Sequence, residues 1–358
     1  MGRGRLDPRG QPPDDQRASP DGLRGLQDLP HLREAALNVA LTGATGFVGS
    51  HLAETLVRRG ARVRALVRPG ARTEALAALG CDLVPGSLED EDALARLVEG
   101  GPTVYHVAGR TAARSPGEFL RANREGAARL ARAAARAGVS RFVLVSSLAV
   151  TGPSSSGRPV DESCGPAPLT EYGRSKRAGE EAVRASGVPF TVVRPAAVYG
   201  PRDRAFLTLF RAASRGLVLL PGGGRQPLTL VHAGDLAAAL VRAGEAEATL
   251  GRTYHAGHPV PVTHRELAEA VAEAVGRRVR TLSLPAWLVR PLFGANGALS
   301  RALGRTPLLD GDKANELLAP GWVCSSEALR RDAGWQAMIP LAAGLAGTAA
   351  AYRSCGWL

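Results

Sequence analysis

The chain has 358 residues, 45% of them hydrophobic, enough to bury the core of one large domain or two closely joined ones. Its 45 Lys and Arg against 33 Asp and Glu give a formal net charge of +12, which ordinarily favours nucleic-acid partners. The arginines are dispersed, however, and an aromatic content of 4% is too low for the stacking surfaces that bind single strands. We therefore expect no nucleic-acid partner and some preference for phosphorylated small ligands.

Membrane insertion, disulfide bonding and metal binding are not expected either. No apolar run reaches the roughly 18 residues of a spanning helix, so we predict no integral membrane span. The four cysteines, Cys81, Cys164, Cys324 and Cys355, form no Cys-x-x-Cys pair and have no neighbouring histidines. This usage favours a reduced, cytoplasmic setting. His106 has no second metal-type ligand near it, and we predict no metal site.

Residues 1–36 differ in composition from the remainder of the chain. They are rich in Gly, Pro, Arg and Asp and have no apolar periodicity, so we predict a disordered extension. The segment lacks the apolar core of a secretory signal, and its acidic residues argue against an organellar transit peptide.

From residue 38 onward, β-rich runs alternate with helical ones. Strands are predicted at 39–42, 62–67, 103–108, 141–146 and 190–194, and helices at 49–59, 120–137 and 172–186. This alternation predicts an α/β fold in which a doubly wound parallel sheet is covered by helices on both faces. Residues 37–195 would form this domain. The Gly- and Pro-rich residues 196–358 would form a smaller, mixed C-terminal lobe that binds the substrate and returns to the core.

The first predicted strand ends in a glycine-rich turn that leads directly into a helix. Gly43 permits a tight turn, Gly46 lets the backbone approach a pyrophosphate, and Gly49 lets helix and strand pack closely. The amides at a helix N-terminus favour negative charge, which suits a phosphate group. The predicted cofactor-binding residues of this turn are Thr42, Gly43, Thr45, Gly46, Phe47, Val48 and Gly49.

Tyr172 and Lys176 stand four positions apart on a predicted helix, so their side chains share a face. A phenol has a pKa of about 10, and a neighbouring ammonium lowers it by favouring the phenolate. The two residues alone are equally consistent with a solvated helix face, because short patterns recur by chance.

Taken together, these stretches resemble the extended short-chain dehydrogenase/reductase family from about residue 38 to about residue 350. The glycine turn and the Tyr-Lys pair match the family pattern. Further stretches agree in order and spacing, namely His106-Val-Ala108, Asn123-Arg-Glu-Gly126, Ser146-Ser147-Leu-Ala-Val-Thr-Gly152, Arg194-Pro-Ala-Ala-Val-Tyr-Gly-Pro201 and His232-Ala-Gly-Asp235. The resemblance implies a Rossmann-type fold and an NAD(P) cofactor, with Ala108 among the cofactor-binding residues.

The same resemblance implies roles for four catalytic residues. Tyr172 would be the general acid/base, Lys176 would hold the nicotinamide ribose, and Ser147 would hydrogen-bond the substrate oxygen. Ser146 is the alternative to Ser147, because alternation along a strand lets only one of two neighbours face the site. Asn123 would either support a proton relay or bond backbone within its helix.

The end of the second strand decides which nicotinamide cofactor is preferred. Val67 occupies the position where the family resemblance expects an acid for a ribose 2′-hydroxyl, and Arg68 follows it. An arginine there can pair with a 2′-phosphate through its planar guanidinium, so we predict NADP(H), with NAD(H) possible. Arg68 could instead simply end the strand and face water. Ser87 stands where the family often has Asp, which weakens the expected adenine contacts.

Two departures from the family weigh against a nucleotide-sugar substrate. Ala197 occupies a place where that branch commonly has Asn, and Leu228 replaces an Arg that grips the diphosphate. Nearby arginines could compensate, namely Arg202, Arg204, Arg211 and Arg225. The chain looks more like the dihydroflavonol reductase and 3β-hydroxysteroid dehydrogenase branch. We therefore expect hydroxyl–carbonyl interconversion on a small, fairly apolar molecule. A nucleotide-sugar epimerase/dehydratase and a non-catalytic dinucleotide-binding protein are the alternatives.

Apolar residues of the C-terminal lobe recur at spacings that suit either a substrate pocket or ordinary core. They are Trp287, Leu288, Leu292, Phe293 and Leu299. Lobe core is favoured, because apolar helix faces are usually buried. By family resemblance, the helices near 120–137 and 172–186 are candidates for a homodimer contact.

Overall fold

The computed structural model describes residues 37–155, 158–307 and 309–358. The disordered extension predicted for residues 1–36 lies outside the described residues. The strands are β1 (Asn38–Thr42), β2 (Arg62–Val67), β3 (Asp82–Pro85), β4 (Thr103–His106), β5 (Phe142–Val145), β6 (Phe190–Pro195), β7 (Ala197–Tyr199), β8 (Leu217–Pro221), β9 (Pro227–Leu228), β10 (Leu230–His232), β11 (Thr253–Ala256), β12 (Val262–Thr263) and β13 (Arg280–Leu284).

Thirteen α-helices are present in the described part of the chain. They are α1 (Phe47–Arg58), α2 (Glu74–Ala78), α3 (Glu91–Val98), α4 (Pro116–Leu120), α5 (Gly126–Arg136), α6 (Glu171–Arg184), α7 (Leu207–Ser214), α8 (Ala233–Glu245), α9 (His264–Val275), α10 (Ala286–Ala302), α11 (Gly311–Leu318), α12 (Glu327–Ala333) and α13 (Leu341–Ser354).

The central sheet has seven strands in the order β11-β6-β5-β4-β1-β2-β3, and every pair in it is parallel. The chain winds outward in opposite directions from β1, which lies between β2 and β4. Thr42 at the end of β1 is in register with His106 at the end of β4. Ligands of open α/β sheets bind at such a reversal, outside the carboxyl ends of the strands.

Helices cover both faces of the sheet, and each face has its own hydrophobic core. Alternation along the strands sends Leu41 and Val143 to the face covered by α1 and α8, and Ala40 and Leu144 to the face covered by α3, α5 and α6. Burying a side chain of leucine size contributes about 1.5–3 kcal/mol, so two filled faces hold the sheet firmly. The predicted Rossmann-type α/β fold is confirmed.

The chain after β6 builds a third core from α7, α9 and α13, centred on Phe210, Leu267, Leu345 and Tyr352. Three two-stranded sheets accompany it: β7 with β10 and β8 with β13, both parallel, and β9 with β12, antiparallel. The chain also returns to the central sheet, because β11 pairs with β6 and α8 packs on the face shared with α1.

The helix predicted at 120–137 is not continuous. A π-helical turn, Arg121–Glu125, separates α4 from α5. A Cβ placed on Gly179 of α6 would lie 2.3 Å from the carbonyl oxygen of Asn123, so the two helices approach closely here. Extra residues inserted into a helix at such a contact redirect side chains and carbonyls, and π turns are frequent at functional sites.

Most of the apolar lobe residues expected in the core are exposed. Phe293 is buried with Val289 against α11, but Trp287 is 76% exposed, and Leu292 and Leu299 also face outward. The prediction that these side chains lie in the core of the lobe is wrong. Helix α10 packs on α11 through one stripe of side chains, and the neighbouring stripe is left exposed. Nowhere in the described ranges is a helix both long and apolar enough to cross a bilayer.

Candidate active site

The glycine turn after β1 is packed so tightly that its glycines cannot carry side chains. Gly43 has φ of +76°, and a Cβ placed on it would lie 2.6 Å from the backbone nitrogen of Ala108. A Cβ on Gly49 would lie 2.0 Å from the carbonyl oxygen of Gly43. The amide of Gly46 donates to that same carbonyl at 2.9 Å, which closes the turn. The predicted turn residues are therefore brought together at the end of β1, beside Ala108.

The turn opens onto the N-terminus of α1. Gly46 is the N-cap, no side chain caps the helix, and Thr45 and Gly46 are exposed. Phe47 and Val48 follow in the first turn and are half-buried. Unsatisfied amides at an exposed helix start bind phosphate groups well, and the glycines leave room for the backbone to approach. These residues fit a dinucleotide pyrophosphate.

Thr42 and His106 join the ends of the two central strands. The Thr42 hydroxyl lies 2.7 Å from Nδ1 of His106, and it accepts a hydrogen bond from the amide of Ala108 at 3.3 Å. Burial, together with the charge of Lys176, lowers the pKa of His106 to about 3. The neutral imidazole therefore holds the two strand ends together.

At the end of β2, Val67 is buried and Arg68 is exposed. No carboxylate of the described ranges forms an ion pair with Arg68, so its guanidinium is available to an anion. Ser87, which follows β3, accepts a hydrogen bond from the amide of Glu89 at 3.1 Å. The end of β2 therefore presents an exposed cation and no carboxylate at Val67 itself, where the adenosine half of a dinucleotide would lie.

Tyr172 and Lys176 lie one turn apart at the start of α6. Thr170 caps the helix by accepting from the amide of Gly173 at 3.1 Å. Lys176 is buried, and its Nζ donates to the carbonyl oxygen of Val145 at 2.6 Å. The same Nζ would lie 3.6 Å from a Cβ placed on Gly109, next to Ala108 and the glycine turn. The lysine thus reaches the edge of the sheet where β1, β4 and β5 end.

The electrostatics of the pair differ from the prediction. Burial lowers the pKa of Lys176 to about 8, partly offset by the charge of Glu180. Burial raises the pKa of the half-buried Tyr172, and the neighbouring hydroxyl of Ser147 opposes this rise. The expected lowering of the phenol pKa by the ammonium is not found, because burial has the largest effect on this pKa. The ammonium of Lys176 is directed at the carbonyl of Val145.

The two serines after β5 have separate partners. Ser147 is half-buried, its Oγ accepts from the amide of Ala149 at 3.2 Å, and its hydroxyl lies near that of Tyr172. Ser146 is buried and donates to Oε1 of Glu180 at 2.5 Å. The alternation expected along the strand therefore directs Ser147 toward the open side of the sheet edge and Ser146 into the interior.

Glu180 and Arg194 form a buried ion pair that sequence reasoning missed. Nε and Nη2 of Arg194 donate to the two carboxylate oxygens of Glu180 at 2.8 and 2.7 Å. The pKa of Glu180 is lowered, since bonds from Arg194 and Ser146 outweigh the cost of burial. Nη1 of Arg194 continues to Thr151 at 3.1 Å, and Thr151 lies 2.8 Å from the ring of His255. A continuous polar network therefore lies under the serine and the lysine.

Asn123 is fully engaged in the interior. Its Oδ1 accepts from the amide of Arg110 at 2.8 Å, and its Nδ2 donates to the carbonyl of Arg110 and to Ser175, both at 2.9 Å. The side chain bonds backbone, as one alternative expected, but in the loop after β4 and not in its own helix. It fastens that loop to α6 next to Lys176.

Helix α11 of the lobe contacts the start of α6, where Tyr172 lies. Asp312 accepts from the amide of Glu171 at 2.7 Å, and the negative charge of Glu316 contributes to the raised pKa of Tyr172. On the opposite side, the ring of Phe119 lies 6.1 Å from that of Tyr172. These residues are distant in sequence from the Tyr-Lys pair, and no local pattern could have identified them.

Comparison with known proteins places this arrangement in a family. A model of the NAD dependent epimerase/dehydratase family matches residues 39–257, from β1 through β11. The chain belongs to this family. The predicted resemblance to extended short-chain dehydrogenases/reductases is confirmed. The roles of the individual catalytic residues stay predictions.

Relatives cover nearly the whole chain. Ceramide reductase of Caulobacter vibrioides is 37% identical over 330 residues, 89% of this chain and 96% of that protein. A 4-hydroxy-2-methyl-3-oxo-4-farnesyl-3,4-dihydroquinoline-1-oxide ketoreductase of Stigmatella aurantiaca is 31% identical over 318 residues, 85% of this chain and 93% of that protein. The solved structure of MoeE5 with UDP-glucose and NAD is 26% identical with a TM-score of 0.70, covering 89% of this chain and 99% of that one.

The family and these relatives establish the general activity. The protein is an NAD(P)-dependent oxidoreductase, as predicted. Across the described residues, no group of three or more His, Cys, Asp or Glu side chains is arranged to hold a metal ion.

Proposed function

We propose that the protein interconverts a carbonyl and a hydroxyl group on a small, fairly apolar substrate, using NADP(H). The observation that carries the proposal is that the half-buried Ser147 and Tyr172 lie side by side at the sheet edge, with the buried Lys176 one helical turn from Tyr172. The nicotinamide, when bound, donates or accepts the hydride. Side chains of the protein stabilise the charge that develops on the substrate oxygen and transfer the proton to or from it.

Each of the three residues has a distinct part in this proposal. Reduction of a carbonyl builds negative charge on its oxygen, so a donor must be ready there as the charge develops. Tyr172 donates its phenolic proton to that oxygen, and Ser147 donates a second hydrogen bond. Lys176, with a pKa of about 8, can hold or release a proton close to neutral pH and thereby restore the phenol.

Replacing Tyr172 with Phe tests the acid/base role. The variant removes only the hydroxyl, so NADPH should bind as in the wild type while kcat falls on the order of 10²–10⁴-fold. Turnover is followed by NADPH absorbance on a panel of ketones and alcohols, with NADPH binding measured by fluorescence. Phe119→Leu serves as a control for the neighbouring ring contact. Unchanged turnover in Tyr172→Phe would remove the proposed mechanism.

The preference for NADP(H) is supported by the exposed Arg68 and the absence of an acid at Val67. A 2′-phosphate would pair with the guanidinium through charge-assisted hydrogen bonds. We expect Arg68→Glu to raise KM for NADPH about tenfold or more while leaving KM for NADH within about twofold. Arg62→Glu, an exposed arginine at the start of the same strand, is the matched control. Equal effects on both cofactors would contradict the preference.

The apolar substrate class is supported by two observations. Ala197 is exposed and Leu228 is buried, so neither supplies a polar grip for a diphosphate. Two of the reductase relatives are named for a ceramide and for a farnesyl-substituted quinoline oxide, and both names denote molecules with long hydrocarbon parts. A series of carbonyl compounds with increasing alkyl length should show kcat/KM rising with length. Inversion of a nucleotide sugar without net cofactor change would instead favour the epimerase alternative.

Two further features complete the proposal. The four cysteines are free, which supports a reducing compartment such as the cytoplasm. Homodimerisation through the outer faces of α5 and α6 remains an expectation from the family resemblance. Light scattering coupled to size-exclusion chromatography distinguishes monomer from dimer, and Arg132→Glu with Arg177→Glu would disrupt a contact at these exposed positions.

A further inference from the structure

One stretch of the lobe combines cationic and apolar residues and has no acids. Residues 277–309 contain six arginines and no Asp or Glu. The stretch comprises β13 and α10, and β8, the partner of β13, also lies in a stretch without acids, residues 204–234. Elsewhere the exposed arginines pair repeatedly with carboxylates, as Arg177 does with Glu181. Within this stretch Arg301 pairs with Asp310 at 3.1 Å. The described residues contain no ion pair for the other five arginines, Arg277, Arg278, Arg280, Arg290 and Arg305.

The ribbon formed by β8 and β13 has an apolar, exposed face. The register places Leu217 beside Arg280 and Leu219 beside Leu282, and neighbours in register point to the same face. All four are exposed, Leu282 to 54%, while Val218 and Leu220 on the opposite face are buried in the lobe core. The outward face is thus a row of leucines with an arginine at its end.

Helix α10 continues this pattern directly after Pro285. Its buried stripe is Val289, Phe293 and Gly297, at intervals of four residues. A second stripe, with Leu292 and Leu299, is exposed, and Trp287 at the helix start is 76% exposed. Single exposed apolar residues are common, but a helix with a second apolar stripe in water is not.

We propose that these residues dock on the surface of an anionic phospholipid bilayer. The docking surface, here called the ribbon–helix face, consists of Leu217, Leu219, Leu282, Trp287, Leu292 and Leu299, with Arg280 beside Leu217. Leucine and tryptophan side chains enter the boundary between headgroups and acyl chains, and arginines attract anionic headgroups. Since no helix of the described chain can span a bilayer, the helix lies along the surface.

Charge favours a lipid surface over a second copy of the chain. A two-fold contact brings the same patch of both copies together, so arginines would face arginines without a carboxylate from 277 to 309 to pair with them. A bilayer that contains anionic lipid supplies the missing negative charge around an apolar interior. The chemistry of the face is therefore complementary to anionic phospholipid.

The position of α10 connects this face to the catalytic cleft. Val289 and Phe293 pack α10 on α11 beside Ala314. The other side of α11 contacts the catalytic helix, where Asp312 bonds the amide of Glu171. Docking would hold this helix pair against the bilayer. The suggestion that the substrate itself enters from lipid rests on the proposed function, but the docking does not.

Vesicle sedimentation tests the docking. The full chain should sediment with vesicles of phosphatidylcholine and phosphatidylglycerol about tenfold or more strongly than with pure phosphatidylcholine, and added salt should weaken this binding. The variant Trp287→Glu with Leu292→Glu should lose binding by about tenfold or more. The matched control, Val260→Glu with Met338→Glu, changes two residues exposed to 63% and 76% outside the face and should bind like the wild type.

The possible results separate clearly. The proposal would be overturned if the wild type did not bind anionic vesicles. It would also be overturned if both double variants lost vesicle binding equally, because the added negative charge alone would then explain the loss. If the wild type does not bind vesicles, and the particle mass in solution falls only in the face variant, the face is instead an interface between copies of the chain. Thermal unfolding of each variant checks that it is folded, as expected for changes at exposed positions.

Turnover with a short, water-soluble carbonyl compound keeps this test independent of the reductase proposal. The face variant should retain wild-type kcat in the absence of vesicles, because Trp287 and Leu292 are exposed side chains of α10 and are not among the proposed catalytic residues Ser147, Tyr172 and Lys176. Vesicle binding without turnover on any carbonyl would leave docking standing and remove the reductase proposal. Turnover without vesicle binding would remove docking alone.

Discussion

Two regions of this protein reverse the usual distribution of polar and apolar groups, in opposite directions. At the sheet edge, the charged pair of Glu180 and Arg194 is buried and fully hydrogen-bonded. On the ribbon–helix face, Leu282 and Trp287 are exposed to water. Buried charges find their compensation within the fold, whereas exposed apolar groups can find it only in a partner. The first region therefore keeps the site rigid, and the second presents apolar side chains to a binding partner.

The largest expected effect comes from breaking the buried pair. Glu180→Gln leaves Arg194 without its counter-charge in a site that excludes water, and should lower the free energy of unfolding by about 3–5 kcal/mol. Glu181→Gln is the matched control, because the neighbouring residue pairs with Arg177 at the surface and should cost no more than about 0.5 kcal/mol. Urea denaturation measures both. Similar losses in the two variants would mean that burial does not distinguish the pairs.

The second comparison uses two glycines, Gly49 at the sheet edge and Gly294 on α10. Gly49→Ala would place a methyl group 2.0 Å from the carbonyl of Gly43, so we expect a loss of about 1–3 kcal/mol and weaker NADPH binding. Gly294→Ala lies in α10 with nothing within 4 Å of the added carbon, and should stabilise the helix by about 0.5–1 kcal/mol. Thermal unfolding and NADPH titration measure the outcomes. A stabilising Gly49→Ala would contradict the close packing of the turn.

The buried ammonium predicts a pH dependence of stability. The pKa of Lys176 is lowered to about 8, so between about pH 8 and about pH 10.4 the unfolded chain binds more protons than the folded one. Lys176 therefore makes the dinucleotide-free protein more stable as pH rises through this window, by at most about 1.4 kcal/mol per pH unit.

Lys176→Met should make the slope less positive than in the wild type, by up to about 1.4 kcal/mol per pH unit, in urea unfolding measured across the window. The buried thiol of Cys324, whose pKa burial raises to about 12, contributes an opposite slope that is the same in both proteins. Lys313→Met is the control, because it replaces the chain's other lysine, which pairs with Glu316 at the surface. An equal slope in Lys176→Met and the wild type would show that Lys176 does not titrate in this window.

The smallest effect is expected on the ribbon–helix face itself. Leu292→Ser changes an exposed side chain and should alter the free energy of unfolding by no more than about 0.5 kcal/mol. The next residue is the contrast, since Phe293→Ala empties a buried position and should cost about 3 kcal/mol. A large loss in Leu292→Ser would show that this leucine stabilises the fold and is not reserved for a partner.

Much of the catalytic half could be predicted because its signals are local. Alternating strands and helices predicted the doubly wound sheet, and the spacing of Gly43, Gly46 and Gly49 predicted the turn at the end of β1. The Tyr-Lys spacing predicted a shared helix face, but not that the ammonium would bond the carbonyl of Val145. That bond joins a helix to a strand end 31 residues earlier in the chain.

By itself, the sequence determined the sheet, the glycine turn and the family, because each depends on residue types at fixed short spacings. Only the tertiary structure decided that Ser146 bonds Glu180 and Ser147 meets Tyr172, that Arg194 neutralises Glu180, and that α11 contacts the start of α6. It also left one stripe of α10 exposed where the sequence predicted core. Which of two apolar stripes is buried depends on the packing partner, and a periodic pattern does not specify that partner.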